Sequence, residues 1–233
     1  MEVIPVIDLK DGIVVHARMG MRSAYAPIET PLSPTSEPSS VARGLLSIFP
    51  FKAFYVADLD AIEGNGDNTT ALKALRAEYP DLAFWVDNGT ADLRDAKPWL
   101  EAGLGHLVLG SETQRDSELI RHLCRGERII LSLDFRGDAF LGPASLLDDV
   151  DAWPQKIIVM ALARVGSASG PDINRLANIK LRADSRLIYA AGGVRDANDL
   201  ALLARAGISG ALVATSLHNG KLTGAQIARL SGR

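Results

Sequence analysis

The chain has 233 residues, 47% hydrophobic and 23% charged, with a formal charge of −3. This length supports one sizeable core, and the near-neutral balance offers no basic surface to nucleic acid or to a membrane. The lone cysteine, Cys124, excludes an internal disulfide framework and fits a reducing compartment.

Short apolar runs alternate with helical patterns along the whole chain. The chain opens directly on the first run, 3–7, with no basic and apolar leader pattern before it, and no apolar run reaches membrane-spanning length. A cytoplasmic protein is therefore expected. This first run ends on Asp8. After Arg18 comes a proline- and serine-rich stretch, 19–40, too long for an ordinary connection in a compact domain. It reads as a lid or as a passive insertion, and Arg18, Arg22 and Tyr25 at its start favour a lid that touches substrate.

Run 53–57 leads into Asp58-Leu59-Asp60. Asp58 either positions a substrate or is a buried structural carboxylate held by backbone N–H groups. Asn68-Thr69-Thr70 opens a helix over 71–78, with Pro80 just past its end. Run 83–86 is followed by Asp87-Asn88-Gly89-Thr90 and a helix over 91–102 that Gly103 stops. Run 107–109 is followed by Gly110 and Ser111. Cys124, a little further on, reads as a small buried apolar residue of a helix.

Run 129–133 ends on Asp134. Run 156–160 precedes a small-residue loop, 164–171, that contains Gly166 and Ser167 and suits folding over a ligand. Run 187–190 leads into Ala191-Gly192-Gly193-Val194-Arg195, and a helix over 196–206 stops at Gly207. The last run, 211–214, is followed by Thr215 and Ser216. His16, His106, His122 and His218 do not fall at metal-ligand spacing and read as structural, so no metal and no cofactor is expected.

Eight short apolar runs separated by helices describe parallel strands buried on both faces. The expected fold is α/β, a (β/α)8 barrel forming one domain over 1–233. An internal repeat divides it into half-barrels of about 1–125 and 126–233. Segment 82–110 aligns with 186–214 without a gap, pairing Gly89 with Gly193, Gly103 with Gly207, and Ser111, next in line, with Thr215.

In such a barrel the active site lies at the C-terminal strand ends. Asp8 and Asp134 fall there on strands one and five, opposite each other in an eight-strand ring. Two carboxylates so placed serve as base and acid on one small substrate. The alternative is that each pairs with Lys10 or Arg136 and only closes the barrel. Loops after strands seven and eight are a common phosphate site, which points to Gly192, Gly193, Thr215 and Ser216. The matching positions Gly89, Thr90, Gly110 and Ser111 keep part of that pattern but add Asp87. A carboxylate repels phosphate, so a hydroxyl or amine suits that end as well.

These residues also carry a resemblance. Ile4-Pro5-Val6-Ile7-Asp8-Leu9-Lys10-Asp11-Gly12, Ser132-Leu133-Asp134-Phe135-Arg136-Gly137, Gly166-Ser167-Ala168-Ser169-Gly170-Pro171 and Gly192-Gly193-Val194 resemble the histidine-biosynthesis isomerase family and its sister cyclase. The resemblance runs over nearly the whole chain. It implies a cofactor-free Amadori rearrangement of an aminoaldose to an aminoketose, with Asp8 as base and Asp134 as acid. It also implies a small phosphorylated partner with a phosphate at each end. The chain departs from the family at Asp87-Asn88-Gly89-Thr90, where a glycine-rich loop is usual, at His16 in place of arginine, and at Met160-Ala161 in place of Thr-Asp. It resembles a divergent member. Besides the isomerase, three readings stay open. One is a lyase or condensing enzyme in the synthesis of one-carbon carrier cofactors. The others are a cyclase working with a glutaminase and a non-catalytic barrel subunit.

Overall fold

The computed structural model describes residues 1–17, 21, 24–167, 169–230 and 232. Eight strands form the expected parallel barrel: β1 (Glu2–Lys10), β2 (Ala53–Asp58), β3 (Ala83–Asp87), β4 (His106–Gly110), β5 (Ile129–Arg136), β6 (Lys156–Ala161), β7 (Leu187–Ala191) and β8 (Gly210–Val213). Each pairs with the next, and β8 returns to β1 through the register Glu2↔Gly210 to Pro5↔Val213. The ring is closed and leaves no strand edge open.

The alternation of side chains along each strand separates two cores. On β1, Val3, Ile7 and Leu9 face the helices, while Ile4 faces the barrel interior in phase with Val6 and Asp8. On β5, Ile129, Leu131 and Leu133 face outward and Ile130 faces inward, in phase with Ser132 and Asp134. The interior is plugged below the mouth by Trp85 and Tyr189, whose rings meet edge-to-face at 4.8 Å. The outer layer is made by helix positions three or four apart, such as Val41 and Leu45, Leu72 and Leu75, Leu176 and Ile179, and Leu200 and Leu203. Each large side chain buried there contributes about 1.5–3 kcal/mol relative to exposure, so this belt is the main apolar reserve of the fold.

β1 and β5 both run past their aspartates into a short antiparallel hairpin. β1 turns at Asp11 and Gly12, with φ of 52° and 77°, and pairs back as Asp8↔Val15. β5 turns at Gly137, with φ of 58°, and pairs back as Phe135↔Phe140. These matched hairpins lengthen both strands beyond their apolar runs and fix the backbone of each aspartate.

Local expectations change in three places. Asn68 precedes the helix Thr69–Glu78, but its side chain makes no cap bond. It donates instead to Asp58 and Asp60, and its Oδ1 accepts the Gly12 N–H at 2.8 Å. Cys124 is only half-buried and sits at the C-cap of Glu118–Leu123, where the sequence reading placed it buried inside a helix. The proline- and serine-rich stretch is shorter as a loop than expected, since the helix Pro38–Ile48 begins within it, capped by the Glu37 carboxylate. Of the rest, Val14 N–H donates to Ser36, Ile28 N–H to Val14, and His218 Nδ1 lies 3.0 Å from Thr30 Oγ1. Among the described residues no helix is long and apolar enough to cross a membrane.

Candidate active site

A cavity opens at the C-terminal mouth of the barrel, and Asp8 and Asp134 both line it. Going round the ring, β2, β3 and β4 separate their strands one way and β6, β7 and β8 the other. The two carboxylates therefore face each other across the mouth. Their surroundings differ. Asp8 is half-buried, whereas Asp134 is 5% exposed.

Asp134 is held from several sides. Ser132 Oγ donates to its Oδ1 at 2.6 Å, and the Glu112 N–H reaches its Oδ2 at 3.3 Å. Ser111 Oγ accepts the Asp134 N–H at 2.9 Å and lies 2.7 Å from the Leu141 carbonyl and 3.1 Å from Asp134 Oδ2. A serine has one hydroxyl proton. It goes to the Leu141 carbonyl, the shorter contact, or to Asp134 Oδ2. Burial pushes Asp134 up to about 7, reinforced by the charges of Asp87 and Glu112 and opposed by the Ser132 and Glu112 N–H hydrogen bonds. A carboxyl raised to about 7 faces a second, more exposed one across the mouth.

The other pole of the cavity is made by the loops after β7 and β8. Gly192 and Gly193 have φ of 98° and 85°, and a Cβ at either would lie 2.5 Å from the Ala161 carbonyl or 2.3 Å from the Gly170 carbonyl. Only glycine allows both this backbone and this approach. The Gly170 N–H donates to Gly193 O, and Arg164 Nη1 donates to Gly170 O, so Arg164 and Gly170 are tied to the glycine pair. Gly166, Thr215 and Ser216 also line the cavity. Ser216 is 2% exposed, and among the described residues its hydroxyl has no hydrogen-bond partner. A buried hydroxyl left without a partner costs about 1–3 kcal/mol, a cost that a bound acceptor removes. Arg195, held by Asp199, and Lys221 bring positive charge to the same side. The helix Thr215–His218 is a single turn, so the hydroxyls and glycine backbone, rather than a helix dipole, shape this pole.

Several residues proposed from the sequence lie elsewhere. Asp58 is in phase with Phe54 and Val56, which face the outer layer. Its carboxylate accepts from Asn68 N at 2.8 Å, Asn68 Nδ2 at 2.6 Å and Ala61 N at 3.2 Å. It caps the helix Leu59–Glu63 and does not line the cavity, so of its two readings the buried structural carboxylate held by backbone N–H groups is the one observed and the substrate residue is corrected. Ser167 turns back on its own loop, donating to the Arg164 carbonyl at 2.9 Å. Gly89, Thr90, Gly110 and Ser111 do not line the cavity, whereas their neighbours Asp87 and Glu112 do. Arg18 and Arg22 lie outside the described residues, while Tyr25 lines the cavity. Lys10 pairs with Glu63 at 3.2 Å.

Sequence reasoning passed over Tyr55. It is 4% exposed, lines the cavity, and its hydroxyl lies 3.4 Å from Asp87 Oδ2. Burial, then the charges of Asp87, Asp134, Asp8 and Glu112, pushes its phenol well up, so it stays a proton donor. Its phase with the inward Ala53 and Ala57 was the available signal. Met160 also lines the cavity, an apolar patch between the poles.

The sequence profile described as "Histidine biosynthesis protein" matches residues 2–223. An uncharacterized protein of Methanocaldococcus jannaschii is 32% identical over 230 residues, 95% of each chain. Two enzymes named 1-(5-phosphoribosyl)-5-((5-phosphoribosylamino)methylideneamino) imidazole-4-carboxamide isomerase are also similar. The one from Alkalilimnicola ehrlichii is 30% identical over 246 residues, covering 95% of this chain and 93% of its own. That from Myxococcus xanthus is 28% identical over 240 residues, 97% of each chain. The closed barrel, the matched hairpins carrying Asp8 and Asp134 and this end-to-end match agree, and the chain belongs to the histidine biosynthesis protein family, as a divergent member on the isomerase side.

Proposed function

We propose that this protein is an aldose–ketose isomerase that converts a phosphorylated aminoaldose to an aminoketose. The observation that carries the reading is the pair of facing carboxylates in one cavity, with Asp134 poised to carry a proton near neutral pH and Asp8 in wetter surroundings. The similarity to named isomerases supports it.

The phosphate is held at the β7–β8 pole by the Gly192–Gly193 backbone, Thr215 and Ser216. Asp134 gives its proton to the sugar ring oxygen as the C1–O bond breaks and the nitrogen lone pair forms a C1=N iminium. Asp8 then takes the proton from C2. The C2–H electrons form a C1=C2 bond, and the iminium pair returns to nitrogen. Protonation at C1 and loss of the C2 hydroxyl proton give the ketone. C1 is reduced as C2 is oxidised, so the rearrangement balances without a cofactor.

The test is turnover of a panel of N-(5-phosphoribosyl)amines, including the relatives' carboxamide ribotide, by the wild type and by Asp8→Asn and Asp134→Asn. Ketose formation that each substitution cuts by about 10²–10⁴ is the expected result. Full activity in either variant, or no turnover of any member of the panel, overturns the reading.

A further inference from the structure

The sugar of the proposed reaction has a set course through the cavity. Its phosphate end lies at β7–β8, and Asp8, which takes the C2 proton, stands on β1, the strand that pairs with β8 on one side and β2 on the other. The C1–C2 end therefore extends from Asp8 toward β2. There the lining residues Val6, Ala57, Leu59 and Ile62 are apolar and offer a sugar oxygen nothing to bond. Tyr55, on β2, is the exception.

The strand register sets Tyr55 level with Val6 and Trp85, one inward layer below Asp8, Ala57 and Asp87. The next inward side chain on its own strand is the methyl group of Ala57, so β2 leaves the phenol uncovered toward the mouth, and Tyr55 lines the cavity. A second inward tyrosine offers a contrast. Tyr189 packs edge-to-face on Trp85, and its hydroxyl donates to Glu2 Oε2 at 3.1 Å at the foot of the barrel. The Tyr55 hydroxyl donates, among the described residues, only to Asp87 Oδ2 at 3.4 Å, well beyond the usual O–H···O distance of about 2.7–2.8 Å. Asp87 is held independently by the Gly89 N–H at 3.1 Å, so Tyr55 can turn from it to a ligand.

A buried phenol normally finds a close partner. This one is 4% exposed and its single bond is long. Burial first, then the charges of Asp87, Asp134 and Asp8, keep the proton on its oxygen. A phenol both donates and accepts, which suits an oxygen that begins as C2–OH and ends as C2=O.

We infer that Tyr55 is a specificity residue of this site, whose hydroxyl meets the C2 oxygen of the sugar and selects a 2-hydroxy aldose phosphate over its 2-deoxy counterpart. This rests on the phosphate-sugar reading above and adds a substrate contact to it.

The test pairs removal of one hydroxyl from the protein with removal of one from the sugar. Calorimetry measures ribose 5-phosphate and 2-deoxyribose 5-phosphate against the wild type and Tyr55→Phe, which keeps the ring. The wild type should bind ribose 5-phosphate about three- to tenfold more tightly than the deoxy sugar, and the variant should bind the two alike. A preference that is missing in the wild type overturns the inference and leaves the isomerase reading standing. So does a preference that survives in Tyr55→Phe, even if both affinities fall, because the phenol then only shapes the cavity. If neither sugar binds the wild type, the phosphate-sugar reading falls and this inference with it. A second measurement uses the wild type alone, labelled with carbon-13 at the tyrosine Cζ. The assigned Tyr55 signal should move with ribose 5-phosphate and stay in place with 2-deoxyribose 5-phosphate and with inorganic phosphate. A signal that treats the two sugars alike overturns the inference even if Tyr55→Phe does not fold.

Discussion

In the proposed mechanism Asp134 carries the proton, and its protonation has a sign that can be checked. Its carboxyl is raised to about 7 by burial and by the nearby charges of Asp87 and Glu112. A general acid works only while protonated, so kcat/KM should fall as pH rises through about 7. Two neighbours should move that limb in opposite directions. Asp87→Asn removes a charge that raises the Asp134 pKa, so the limb shifts to lower pH. Ser132→Ala removes the 2.6 Å hydrogen bond that favours the ionised form, so it shifts to higher pH. A pH–rate series on the three proteins decides; shifts in the same direction would show that Asp134 is not the group on that limb. At the other pole, Ser216→Ala should raise KM about tenfold or more and change kcat little. A hydrogen bond to a charged group is worth about 1.5–3 kcal/mol, and this one is made to substrate and transition state alike. A loss confined to kcat would place Ser216 elsewhere in the reaction.

Individual elements were readable because their patterns are local. Runs 53–57 and 83–86 are continuous apolar stretches, and both became strands. Gly103 has the expected left-handed backbone at the helix stop, with φ of 67°. The same parity that puts Asp8 and Asp134 inside puts Asp58 outside, so strand phase alone decides between its two readings for the structural one. The role of Asn68 was not legible, because its partners Asp58, Asp60 and Gly12 come together only across the folded barrel. A similar long-range contact governs the helix Pro38–Ile48. A Cβ on Gly44 would lie 2.1 Å from the Leu32 carbonyl, where the preceding loop crosses the helix. Gly44→Ala should therefore destabilise the protein by about 1–3 kcal/mol through overpacking, although alanine is the better helix former. Urea unfolding measures this, and an unchanged or raised midpoint would show that loop and helix part at little cost.

Across the whole molecule, the contact between His218 and Thr30 ties the single-turn helix after β8 to the long first-half insertion. Burial, with a smaller contribution from His16, lowers the His218 pKa to about 4; burial, then Lys156 and Arg128, does the same for His106. Both are neutral in the folded state at neutral pH. Their stabilising contribution is complete above the unfolded value near 6.5 and is lost as pH falls from there toward 4. His218→Gln should reduce the stability lost between pH 7 and pH 5, measured by denaturant unfolding at each pH. An equal loss in wild type and variant would exclude His218 as a source.

The sequence by itself determined the alternation of strand and helix, the barrel, the repeat and the placing of both aspartates at strand ends. Each follows from apolar periodicity, chain stops and the rule that barrel sites form at C-terminal strand ends. Only the tertiary structure decided which polar groups reach the cavity and which are consumed before they do. Gly89 and Ser111 correspond to Gly193 and Thr215 in the repeat, yet Asp87, Asn88, Asp134 and Leu141 take up donors there, while among the described residues Ser216 keeps an unpartnered hydroxyl at the other pole. Hydrogen-bond satisfaction is set by distances between residues far apart in the chain, and those distances exist only once the barrel has closed.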